Sequence, residues 1–234
     1  MTMQQTIQAG ASQDSFKMLR AMVGIGAFCG LLIVLTFEGT RSRIEKNAAE
    51  ALERAIFKVI SNTTKTTTYQ LDANNKFIPF QKDVQSDFVV YAGFNEEEEL
   101  QGLAIEASGQ GYADIIKILY GYDPIKQEVI GFYVLESKET PGLGDKIEKD
   151  LTFIVNFAAL DVKLKDDQSA LVNDVVYVKN GTKKNRWEVD GITGATISSK
   201  AIAEIINQSA GQWMPVIQKN KAPFEYIEVE QNQE

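Results

Sequence analysis

The chain has 234 residues, of which 44% are hydrophobic, and it carries 32 acidic against 24 basic side chains for a net charge of −8. That apolar fraction belongs to a folded protein, the length suits one domain plus an anchor or two small domains, and the acidity argues against nucleic acid as a partner because nothing offsets phosphate repulsion. There is no histidine, which removes the commonest general base and metal ligand, and the single cysteine, Cys29, lies in an apolar run where it can neither pair within the chain nor hold a cluster alone; any electron chemistry must come from a bound organic cofactor.

Residues 1–17 read as a short polar N-terminus. Residues 18–37 are apolar apart from Arg20, long enough to cross a bilayer as a helix, with Arg20 able to snorkel to the headgroups. A buried core helix and a cleaved signal peptide are the rival readings. The run is long for a signal peptide and Thr36-Phe37-Glu38 is a poor cleavage site, so an uncleaved transmembrane anchor is expected. Lys17 and Arg20 precede the span while Arg41, Arg43 and Lys46 follow it, and the positive-inside rule does not decide between these flanks. A short polar start ahead of a large folded part favours an N-inside, domain-outside orientation. Residues 38–75 read as a helical stalk and linker. Ile44, Ala48, Ala51, Ala55 and Val59 recur at helical steps across 43–60, and Ser61 to Thr68 is a break or a first extended stretch.

The remainder, 76–234, reads as the folded domain. Its texture turns to strands from about Phe88, with candidates at Leu100–Ala107, Ile115–Tyr122 and Glu128–Glu136. The last two are joined by a hairpin-like Asp123-Pro124-Ile125-Lys126-Gln127. The run Glu96 to Glu99 is a solvated loop without EF-hand spacing. Further strands are expected at Phe153–Phe157, Asp174–Val178 and Arg186–Val189, with Asn180-Gly181 as the turn of the last pair. An apolar-periodic helix then runs from Thr196 to near Gly211, and the tail from Gln218 is polar, with 231–234 frayed. The fold class is α+β: a single transmembrane helix, then a mostly antiparallel sheet with flanking helices.

Two loops carry chemistry. Asp190-Gly191-Ile192-Thr193-Gly194-Ala195-Thr196 lets a ligand approach the backbone closely and puts a hydroxyl, Thr196, where a helix begins. Unpaired N–H groups and a partial positive charge there favour a phosphate. Glu139-Thr140-Pro141-Gly142-Leu143-Gly144-Asp145-Lys146 is a fixed turn that can lay backbone and Leu143 against a flat ring, or be a plain turn. Ser108-Gly109-Gln110-Gly111-Tyr112 could bring backbone and an aromatic to the same place. No Gly-x-Gly-x-x-Gly fingerprint for a dinucleotide is present, and Gly24, Gly26 and Gly30 could pack against partner helices.

These motifs, in the order anchor, stalk, domain, resemble the FMN-binding domain family, in particular the G subunit of the Rnf electron-transport complex, and are similar also to the C subunit of the sodium-pumping NADH:quinone reductase. The resemblance implies FMN joined by its phosphate to Thr196, with Gly194 and Ala195 leaving room, Thr193 donating to the phosphate, and Asp190 serving transferase recognition or bracing the turn. It implies that Glu139, Thr140, Leu143 and Gly144 line the flavin ring, which keeps its own chemistry. No metal site is expected, from the absence of histidine and the lone cysteine, and the resemblance implies a flavin transferase for maturation and other membrane and peripheral subunits as partners. The location implied is the bacterial inner membrane, with the FMN domain on the extracytoplasmic side. The role is that of an electron carrier in a translocase coupling ferredoxin and NAD to ion transport, more than of an enzyme alone. The alternatives are the quinone-reductase subunit, a stand-alone extracytoplasmic flavoprotein reductase, and a tethered binding or scaffolding module with an unoccupied loop.

Overall fold

A computed structural model describes residues 3–72, 75–81, 88–220 and 224, with side chains from Phe16 onward; the tail residues 225–234 lie outside the described residues. The chain divides into two units, 1–50 and 51–234. In the first, α1 (Met3–Val59) is already helical across the stretch read as a polar N-terminus. Among the described residues it is the one helix long and apolar enough to cross a membrane, with a mean hydropathy of 2.2 over its best window. Its large apolar side chains, from Phe16 through Phe37, face outward, as a lipid-facing helix requires. Thr36 and Thr40 turn their hydroxyls back to the carbonyls of Leu32 and Thr36, at 2.7 and 2.8 Å, so neither leaves a bare polar group in the apolar span.

The second unit is built on a seven-stranded sheet in the order β2-β1-β3-β4-β5-β6-β7, antiparallel at every pairing. The strands are β1 (Lys65–Leu71), β2 (Phe77–Pro79), β3 (Val89–Phe94), β4 (Leu100–Gln110), β5 (Ile115–Asp123), β6 (Glu128–Glu136) and β7 (Leu160–Asp161). The sheet thus opens at Lys65, ahead of the boundary at 76 drawn from the sequence. The three central strands lie where their Ile, Val, Tyr and Phe content and the Asp123–Gln127 turn put them. Glu96–Glu99 is an exposed turn in which Asn95 Oδ1 accepts from the Glu99 N–H at 2.8 Å.

Both faces of the sheet are covered, which explains the almost unbroken apolar run of β5. Ile116, Ile118, Tyr120 and Tyr122 point into the main core, under the C-terminal helix. Leu119, with Ala104 of β4, points the other way, against Ala55, Ile56, Val59 and Ile60 at the end of α1. That end sits directly on backbone. Gly121 and Gly131 are cross-strand partners on β5 and β6, and a Cβ on either would collide with the Val59 carbonyl.

The segment 153–157, expected as a strand, is helical. The short helices α2 (Lys146–Lys149) and α3 (Leu151–Ile154) lead into a 3-10 turn at Val155–Phe157. Asp150 caps α3 by accepting from the Thr152 N–H at 2.9 Å. The aromatics act at a period of four: Phe153 and Phe157 pack on each other and both meet Phe132, Phe157 stacking at 4.4 Å. The last two strands, β8 (Val176–Val178) and β9 (Glu188–Asp190), pair in parallel, outside the main sheet. Asn180-Gly181 is a turn, but it opens a crossover instead of closing a hairpin. Glu188 folds that crossover by accepting from the N–H groups of Lys184 and Asn185 at 2.6 and 3.0 Å.

The final helix, α4 (Thr196–Lys219), outruns the end expected near Gly211 because Trp213, Met214 and Ile217 prolong its buried stripe. It lies against β4 and β8. Tyr120 and Ser209 share a buried hydrogen bond of 2.8 Å, and Gln218 Nε2 donates to the Tyr122 hydroxyl and the Pro124 carbonyl. These bonds fix α4 along its length, and so fix where its first turn stands.

Candidate functional site

The loop after β6 is shaped by its proline, its glycines and Asp145. Gly142 takes a left-handed φ of +79°, open to glycine at little cost. Its N–H donates to the Asp145 carboxylate at 2.7 Å, and Lys149 pairs with that carboxylate from the other side at 2.6 Å. The Lys149 ammonium holds Asp145 below the usual carboxylate range. Glu139, ahead of the proline, folds inward and is only 5% exposed.

The loop after β9 is tied down behind and open in front. Asp190 Oδ2 accepts from the Gly181 N–H at 3.0 Å, so this acid braces the neighbouring turn; its Oδ1 is buried without a hydrogen-bond partner among the described residues. Asn156, from the 3-10 turn, accepts from the Asp190 N–H and donates to the Asp190 carbonyl at 3.0 and 3.1 Å. Gly194 is left-handed at φ +86°, bending the chain into α4. Ala195 stands at the N-cap, and no side chain caps the helix. The usual Ser, Thr, Asp or Asn is missing from that position, so the first-turn N–H groups remain open donors beside the exposed Thr196 hydroxyl.

The two loops meet through α4. Ser198 donates a short, buried hydrogen bond to Glu139 Oε2, while Glu139 Oε1 accepts from the Ala113 N–H at 2.9 Å, bringing in the Gly111-Tyr112 loop. Ser199 Oγ accepts from the Ile192 N–H at 3.1 Å. Between them lies a cleft of about 300 Å³, lined by Tyr112, Glu139, Thr140, Leu143, Gly144, Gly194, Ala195, Thr196, Ile197 and Ser198. It is small for a ligand site, and Tyr112, Leu143 and Ile197 are exposed at its rim. Two glycines keep its floor low: a Cβ on Gly111 would come within 2.6 Å of Glu139 Oε1, and one on Gly144 within 2.8 Å of Ser198 Oγ.

Of the residues singled out in the sequence, Glu139, Thr140, Leu143, Gly144, Gly194, Ala195 and Thr196 line this one cleft. Thr193 is exposed beside it and Asp190 is set behind it. Ser198 and Ile197 escaped the sequence reading. The signal for Ser198 was there: two consecutive serines, Ser198 and Ser199, sit on the buried side of an apolar helix. Such hydroxyls need partners. No group of three or more metal-ligating side chains occurs among the described residues.

Residues 111–211, which contain every residue of the cleft, match the FMN-binding domain family. In sequence the chain is similar to the G subunit of the ion-translocating oxidoreductase complex of Methanosarcina acetivorans, 25% identical over 85% of this chain and 94% of that one. It is similar also to the corresponding G subunit of Haemophilus influenzae, 28% identical over 80% and 84% of the two chains. In fold it is similar to the crystal structure of Shewanella oneidensis NqrC, with a TM-score of 0.53 at 17% identity over 79% of this chain and all of that one. The C subunit of the Na(+)-translocating NADH-quinone reductase of Parabacteroides distasonis gives 0.56 at 20% over 74% and 96%. The resemblance to the G-subunit family read from the two motifs is thereby borne out.

Proposed function

We propose that this chain is a membrane-anchored electron-transfer subunit of an Rnf-type ion-translocating oxidoreductase, with FMN attached by a phosphodiester to Thr196. The observation that carries the reading is the uncapped start of α4: open N–H groups, an exposed hydroxyl and a cleft with Tyr112 and Leu143 at its rim adjoin one another. The site's chemistry fits FMN. The helix start suits the phosphate, and Leu143 and Tyr112 offer apolar and aromatic surface to a ring. Thr140, Gly144 and Glu139 supply the polar and backbone edge, and Gly194 with Ala195 leaves the hydroxyl accessible. Thr196 Oγ1 would hold the FMN phosphate: on a flavin transferase its bond to phosphorus would replace the bond from that phosphorus to the donor's leaving group, which would depart with the hydroxyl proton. Asp190 braces the loop that the transferase reads. Once bound, FMN supplies electron transfer, and the chain's residues retain and orient it.

The same reading places the chain in the bacterial inner membrane, α1 as anchor and the flavin domain on the extracytoplasmic side, among other subunits that pass electrons between ferredoxin and NAD and couple them to ion transport. The fold likeness to quinone-reductase C subunits supports a second reading as that component; the G-subunit sequence matches over four-fifths of the chain favour the first. Full-length chain coproduced with a flavin transferase is expected to gain the mass of FMN on the Thr196 peptide and to fluoresce in a denaturing gel. Thr196→Ala should abolish both, and undiminished labelling of that variant would refute the attachment. Protease added to cells with a permeabilised outer wall should digest the flavin domain without lysis.

A further inference from the structure

A cation stands beside the cleft, at the end of the Glu139–Lys146 loop. Among the described residues other than its chain neighbours, the sole heavy atom within 4 Å of the position a Cβ would take at Gly194 is Lys146 Nζ, at 3.9 Å. Lys146 opens α2, directly after the Glu139–Asp145 loop, and is half-buried. Its ammonium is in no ion pair or hydrogen bond among the described residues. The hydrogen bonds of the nearby acids go elsewhere: Asp145 to Lys149 and the Gly142 N–H, Asp150 to Thr152, though the Asp150 carboxylate also feels the Lys146 charge. Asp190, the acid of the other loop, is bound to the Gly181 N–H. The one carboxylate lining the cleft, Glu139, is held by Ala113 and Ser198.

We infer that Lys146 is the counter-ion of the phosphate at the start of α4 and so a positioning residue that sets which end of the cleft the phosphate takes. The inference rests on the reading of Thr196 as the attachment point. A phosphodiester keeps one negative charge. The helix start gives it N–H donors and a partial positive charge, and a lysine adds a full point charge with a charge-assisted hydrogen bond. Glu139 is bound by Ser198 in the first turn of the same helix, so a carboxylate already stands near the phosphate and the Lys146 charge offsets it. Lys146 thus draws the phosphate toward Gly194 and leaves Leu143 and Tyr112 to the ring. It also gives the transferase's phosphoryl group a local attractor beside the Thr196 hydroxyl in a chain whose net charge is −8.

The test uses full-length chain in detergent, a purified flavin transferase, and the variants Lys146→Gln, Lys146→Arg and Thr196→Ala. Lys146→Gln should slow FMN incorporation about tenfold, the loss expected from one charge-assisted contact, and Lys146→Arg should stay within about threefold of the wild type because it keeps the charge. In the fully labelled proteins the ³¹P resonance of the ester should move toward that of a solvent-exposed FMN ester in Lys146→Gln and hold its place in Lys146→Arg. A merely structural lysine would not shift that signal. Unchanged incorporation and an unchanged ³¹P resonance in Lys146→Gln, with Thr196→Ala unlabelled, would overturn the role of Lys146 and leave Thr196 as the attachment point. Labelling of Thr196→Ala, or none in the wild type, would bring down both.

Discussion

Ser198 shows how much of this site hangs on one hydroxyl. It donates to Glu139 across two loops, and both side chains are nearly inaccessible to water. Removing it leaves a carboxylate oxygen desolvated and unpaired, a loss of about 1–3 kcal/mol. Ser198→Ala is therefore expected to lower the thermal midpoint of the unlabelled protein and to raise amide exchange at Ala113, whose N–H depends on the same carboxylate; unaltered exchange there would show the bond to be dispensable. At this scale the sequence was legible where residue chemistry is local. Glycines mark close approach, proline marks a turn and a threonine before an apolar run marks a helix start, so the two loops stood out as ligand candidates; that Glu139, Leu143, Gly194 and Thr196 serve one ligand was implied by the family resemblance. Lys146 and Ser198 could not be read in this way, because what they touch is decided by strands and helices far away in the chain.

Elements were legible in the same measure as their patterns were local. The hairpin of β5 and β6 follows from two runs rich in Ile, Val, Tyr and Phe joined by a proline turn, and α4 from its apolar stripe. The segment 153–157 misled because a run of Phe, Ile and Val suits either period; Asp150 as a cap and the four-residue spacing of Phe153 and Phe157 decide for helix. The parallel pairing of β8 and β9 was hidden because Asn-Gly signals a turn but not where the chain goes next. The packing of α1 on the sheet was equally silent, since two glycines in strands suggest a close approach without naming the neighbour. That packing can be tested. Gly131→Ala puts a methyl group into the Val59 carbonyl and is expected to destabilise the domain by about 1–3 kcal/mol or more in chemical denaturation. Gly211→Ala in α4 meets nothing within 4 Å and should stabilise by up to about 1 kcal/mol. Equal effects from the two substitutions would contradict the close seat of the helix end.

For the molecule as a whole, the helix that is apolar enough for a bilayer ends inside the core of the folded unit. Ala55, Ile56, Val59 and Ile60 cover Ala104 and Leu119, and each fully buried Val or Ile is worth about 1.5–3 kcal/mol. A fragment beginning at Ala51, where the second unit starts, is expected to unfold cooperatively with a sharp thermal transition. One beginning at Lys65 should expose that sheet face, bind a hydrophobic dye and aggregate. A well-folded, monomeric Lys65 fragment would show the helix end to be ornamental. The bare start of α4 has a different consequence. The missing cap leaves N–H groups bare at the very turn that Ser198 and Ser199 hold in place, where FMN is proposed to attach. On the proposed reading, unfinished polypeptide differs from finished polypeptide in the soundness of that turn as well as in colour, and the occupied helix start melts later than the vacant one.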